Sequence, residues 1–66
     1  VQVGSFRNPR YAKRLQQELE EEDFPSYIEE SGEFNRVRVG RNLTLDEAVQ
    51  LEKALRRSGY QTVIVN

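Results

Sequence analysis

The chain has 66 residues, 10 Lys+Arg against 11 Asp+Glu, a formal charge of -1, and no His, Cys, Met or Trp. A chain near 60 residues buries only about 60% of its unfolded surface, so one small domain is expected and a large enclosed active site is not. The missing side chains exclude an imidazole general base, a thiol nucleophile, a zinc finger and a disulfide, and the lack of a basic excess argues against a polyanion-binding surface.

Val1-Gln2-Val3 alternates apolar with polar and stops at Gly4, the pattern of a strand with one buried face. Asn8 followed by Pro9 predicts a helix start, with Asn8 as cap and Pro9 as the first helical residue. Ala12, Leu15 and Leu19 then fall at i, i+3 and i+7, so one face of this helix is buried. It ends in Glu20-Glu21-Glu22-Asp23, acidic residues at the negative end of the helix dipole, which is mildly unfavourable. A solvated acidic edge is the simpler reading of that run, and a partner contact the alternative.

A second strand is expected over Ser26–Glu30, followed by the linker Ser31–Arg36 and a third strand at Val37-Arg38-Val39, which again stops at a glycine, Gly40. Thr44 and Glu47 form a capping pattern for a second helix, whose buried face is Ala48, Leu51 and Leu55. Gly59 suits a left-handed cap, and Lys53, Arg56 and Arg57 complement the dipole. A last strand is expected over Thr62–Val65.

Sliding the sequence on itself by 36 residues aligns 1–30 with 37–66 without gaps and gives seven identities: Val1/Val37, Val3/Val39, Gly4/Gly40, Ala12/Ala48, Leu15/Leu51, Leu19/Leu55 and Ile28/Ile64. Ordinary residue usage would give about two in such a span. Two β-α-β units in tandem predict an α+β fold, the split β-α-β-β-α-β (ferredoxin/ribonucleoprotein-like) arrangement. It has a four-stranded antiparallel sheet in the order fourth, first, third, second strand, with two helices on one face. Residues 1–66 then form a single domain, and a start at Val1 with no Met in the chain suggests that it is cut from a longer protein.

With Val1, Val3, Val37 and Val39 turned toward the helices, alternation places Gln2, Gly4, Arg36 and Arg38 on the open face, bordered by Tyr27 and Glu29 on one side and Val63 and Val65 on the other. Donors flanked by an aromatic and aliphatics suit an extended, partly anionic polymer such as a glycan, although any solvated antiparallel sheet carries similar residues. No pair of carboxylates is marked out for catalysis. RNA-binding domains share the architecture, but stack bases on aromatics in the central strands, where this face offers none. A protein-interaction module using the sheet edges or Tyr27 is the stronger competitor.

Val1-Gln2-Val3-Gly4-Ser5-Phe6 and Arg36-Val37-Arg38-Val39-Gly40, each before an Ala-x-x-Leu-x-x-x-Leu helix, together with the ending Gly59-Tyr60-Gln61-Thr62-Val63-Ile64-Val65, resemble the SPOR domain (sporulation-related repeat) over essentially the whole chain. The resemblance implies non-catalytic binding of bacterial peptidoglycan, chiefly glycan strands lacking stem peptides, and so the targeting of an attached protein to a division septum or sporulation site. It implies a place in the bacterial cell envelope, in the periplasm or at the outer face of the cytoplasmic membrane. No nucleic acid, no membrane contact by this domain, no cofactor or metal and a monomeric state are expected beside it. The family's Gln and Ser map onto Gln2 and Ser5, and its third-strand Arg onto Arg36. With Arg38, Tyr27 and Val63 these form the expected glycan-binding set, and Phe6, Phe34 and Asn35 are further candidates. Simple alternation turns Ser5 inward, so its use needs a bend at Gly4, which glycine permits. The chain departs from the family at Asn35, where an aromatic is usual, and at Gly40-Arg41-Asn42, where Gly-Pro-aromatic is usual.

Overall fold

The structure, a computed structural model, describes residues 1–65; Asn66, the last residue of the second repeat copy, lies outside them. The elements are β1 (Gln2–Phe6), α1 (Pro9–Glu21), β2 (Ser26–Ser31), β3 (Phe34–Val39) and α2 (Leu45–Arg57). The three strands form an antiparallel sheet in the order β1-β3-β2. The expected fourth strand is reduced to one antiparallel bridge, Gln2 opposite Val63, with backbone bonds of 2.8 and 2.9 Å. Its place beside β1 matches the expected order, but no ladder follows among the described residues.

The reason lies in β1. Its pairing with β3 runs Gln2↔Arg38 and then Gly4↔Val37, so Val3 is an extra residue, a β-bulge. A bulge bends its strand and interrupts the regular spacing of backbone donors and acceptors. Beyond Gln2, the outer edge of β1 therefore no longer matches the segment at Tyr60–Thr62.

Both helices begin as the sequence predicts. The Asn8 side chain accepts from Arg10 N at 3.0 Å with Pro9 following, and Thr44 and Glu47 make the reciprocal capping box, each bond 3.2 Å. Both also end alike. Phe24 N donates to Leu19 O and Asp23 N to Glu20 O, while Tyr60 N donates to Leu55 O and Gly59 N to Arg56 O. This is the Schellman pattern, with Asp23 (φ 65°) and Gly59 (φ 93°) in the left-handed region. Asp23 thus takes the glycine's conformation without its freedom.

The core joins repeat to repeat. Leu19 and Leu55 are fully buried, as are Ala12 and Val37, and Val1, Val39 and Ala48 are nearly so. Phe24 and Tyr60 meet edge-on, ring centroids 6.5 Å apart, and the Tyr60 hydroxyl donates to Glu22 Oε2 at 2.7 Å. That bond raises the phenol's pKa from 10.0 to about 12, aided by partial burial and the nearby Glu18 and Glu21 charges. α1 lies across all three strands, whereas no Cα of α2 comes within 8 Å of a strand Cα. α2 reaches the core through Ala48 and Leu55, with Leu51 partly buried. Among the described residues, no helix is long and apolar enough to cross a membrane.

Candidate functional site: the open sheet face

The bulge redistributes β1 between the two sides of the sheet. A Cβ at Gly4 would lie 2.8 Å from the Phe6 ring and 2.9 Å from Leu15, so Gly4 faces the helices and not the open side where alternation put it. Ser5 is exposed and pairs with Arg36. The irregularity is a bulge at Val3 and not a bend at Gly4 itself, and it brings Ser5 onto the open face. Phe6 goes the other way and packs against the core.

On β3, Val37 and Val39 are buried beneath the helices, so Phe34, Arg36 and Arg38 share the open side. Arg38 sits between Gln2 and Tyr27, and Arg36 between Ser5 and Glu29. Gln2, Ser5, Tyr27, Arg36 and Arg38 are thus brought into adjacent rows. Val63 borders them beside Gln2, 58% exposed. Phe34 extends the face at one end, where the Arg7 guanidinium lies 5.4 Å from its ring centroid. The central strand therefore does carry an aromatic, contrary to expectation, with a cation over its ring. Asn35 lies on the helix side, and its Nδ2 donates to Phe6 O at 3.2 Å and Arg7 O at 3.3 Å. The residue that replaces the usual aromatic is spent on holding the end of β1.

The charges are arranged unevenly. Glu29 stands opposite Arg36, but its carboxylate accepts from Arg38, its diagonal neighbour. Arg7 lies 4.0 Å from Glu33. Arg36 and Arg41 have no ion pair among the described residues, whose other pair is Arg56 with Glu52. The near-zero net charge conceals an open side with surplus cations. Gln2 Oε1, Arg36 Nε and Arg38 Nε are also buried atoms without a hydrogen-bond partner among the described residues. Such atoms lose free energy until something polar meets them.

Sequence reasoning missed Arg41. At Gly40 (φ 81°) the chain leaves β3 through the left-handed region, and the Arg41 guanidinium comes 3.7 Å from the centroid of the Tyr27 ring. Its repeat counterpart is Ser5, which stays in a strand. In sequence it stood out only as part of the departure at Gly40-Arg41-Asn42 and as the residue directly after the glycine ending β3. One face of Tyr27 is consequently covered by a cation, so a sugar ring can meet that phenol only on its remaining surface.

A family model described as SPOR domain matches residues 1–66 of the chain. Among curated proteins and among solved structures, none matches it.

Proposed function

The chain belongs to the SPOR domain family, whose members are non-catalytic and generally bind peptidoglycan, and from that premise we propose that its open sheet face holds glycan strands stripped of stem peptides. The observation that carries this reading is the row of Gln2, Ser5, Arg36 and Arg38 side by side across the open face, with Arg36 in no ion pair among the described residues. A sugar strand supplies polar partners for that row. Hydroxyls and acetamido carbonyls accept from the terminal guanidinium nitrogens and the Gln2 amide nitrogen, and lactyl carboxylates meet the unpaired Arg36 charge. Val63 and the uncovered part of Tyr27 border the apolar ring faces. Stem peptides branching from every second sugar would collide with a surface this flat and narrow. Capture of this kind delivers an attached protein to envelope sites where amidases have bared the glycan, such as a septum or a sporulating cell's wall.

The test is cosedimentation with whole peptidoglycan and with amidase-treated peptidoglycan. Retention should be clearly better on the treated material, and Gln2→Ala or Arg36→Ala should weaken it while leaving thermal unfolding nearly unchanged. Equal or absent retention on the two materials refutes the reading.

A further inference from the structure

The outward side of α1 carries charges in an order that works against the helix they stand on. Arg10, Lys13 and Arg14 lie in its first half and Glu18, Glu20 and Glu21 in its second, all exposed. A helix dipole favours the reverse, and α2 has it, with Asp46 and Glu47 in the first turn and Arg56 and Arg57 in the last. Spacing adds to the cost. Arg10 has Lys13 and Arg14, and Glu18 has Glu21 and Glu22, at the separations of three and four residues where like charges on a helix repel. None of these residues joins an ion pair among the described residues. With Ala12 and Leu19 buried in the core, the helical repeat sets Arg10, Arg14, Gln17 and Glu21 in one outermost stripe. Lys13 and Glu20 then run along one flank of the stripe, and Tyr11 and Glu18 along the other.

We propose that this face of α1 pairs with α1 of a second copy of the chain, antiparallel about a two-fold axis. The pattern is self-complementary in that arrangement, as an isologous contact requires. Arg10 meets Glu21 of the second copy, Lys13 meets Glu20 along one flank, and the Tyr11 hydroxyl donates to Glu18 along the other, each contact occurring twice. Arg14 stands over Gln17. Like-charge neighbours and the unfavourable dipole ends are then both offset by opposite charge from outside. A partner of one sign, such as an anionic lipid surface, would attract one half of the helix and repel the other. α1 has 13 residues and is about 20 Å long, so the contact covers less than the roughly 800 Å² per partner of a standard interface. Exposed ion pairs are individually weak and are screened by salt. The pair is therefore a weak one, with a Kd of about 0.1–1 mM at low salt, formed where copies are concentrated. Because α1 packs on the side of the sheet away from Arg36 and Arg38, pairing leaves both open faces uncovered, and it does not depend on what they bind.

The experiment follows amide NMR shifts and rotational diffusion of the domain with concentration, at low and high salt. Shifts should move on the outward residues of α1, tumbling should slow as concentration rises, and salt should reverse both. Two charge-reversed variants sharpen the test, Arg10→Glu with Lys13→Glu and Glu20→Lys with Glu21→Lys. Each alone should stay monomeric, while the mixture should associate at least as tightly as the unmodified chain. Each variant also brings α1 closer to the charge order its dipole favours, so its Tm should not fall and lost pairing cannot be put down to misfolding. The chain has no cysteine, so a spin label placed through Arg7→Cys is unique. Mixed with isotope-labelled domain, it should broaden residues 20–23 of the other copy, at the far end of α1. No concentration dependence up to about 2 mM at low salt, several times the upper Kd, overturns the inference. So do shifts confined to another surface, variants that associate alone, or broadening at residues 9–12 in place of 20–23.

Discussion

Replacing Asp23 with glycine should make this domain more stable, against the usual direction of point mutations. Asp23 holds φ 65° at the end of α1, where the matching position of α2 is Gly59 at φ 93°. A left-handed backbone costs an L-residue roughly 1–2 kcal/mol, with aspartate toward the lower end because its short side chain tolerates that region. Removing a carboxylate from the negative end of a helix dipole adds roughly 0.3–1 kcal/mol, and α1 has no basic residue in its last turn to offset it. Against these stands the extra freedom of glycine in the unfolded chain, about 0.5–1 kcal/mol. The net gain is about 0.5–1 kcal/mol, or roughly 3–6 °C in Tm for a domain of this size. Among the described residues Asp23 joins none of the ion pairs, so none is lost. Thermal unfolding followed by circular dichroism at low and high salt checks the reasoning. Asp23→Asn should give only the charge part, which salt removes, while the remainder of the Asp23→Gly gain should survive salt. An unchanged or lower Tm for Asp23→Gly, or a gain that vanishes with salt, would show that the backbone at this cap is not strained.

Tyr60 supplies a pH test. Its folded pKa is raised above the unfolded value, so its stabilisation is complete below pH 10.0 and is lost as pH rises toward about 12. Tyrosinate absorbance should show one of the three tyrosines ionising near that upper value, and Tyr60→Phe should abolish that step. Because the bond to Glu22 is exposed, the same variant should lose only about 0.5–1 kcal/mol at neutral pH in denaturant unfolding. Gly40→Ala should be far more damaging. Its Cβ would lie 2.6 Å from Leu43 and 3.2 Å from Leu51 at a φ of 81°, so a loss of roughly 2–4 kcal/mol is expected. A loss below about 1 kcal/mol would mean that the loop relaxes freely.

The sequence by itself determined the parts whose rules are local or periodic. The order of helices and of the three paired strands, both N-terminal caps, the Gly59 terminus and the buried residues shared by the two copies all follow from spacings of two, three and four residues and from cap chemistry. The family resemblance rested on these same residues. Where the chain departs from regular alternation, tertiary structure decided. There is no room for a Cβ between Gly4, Phe6 and Leu15, and the bulge beside Gly4 reverses the facing of everything after it in β1. That one offset places Ser5 beside Arg36, sends Phe6 into the core and leaves Val63 as a lone bridge where a strand was expected. Asn35 and Arg41 tell the same lesson. In sequence they are two departures from a family pattern, but in space one ties down the end of β1 and the other covers Tyr27. Which groups approach across a sheet depends on register summed over many residues, and no local spacing reports it.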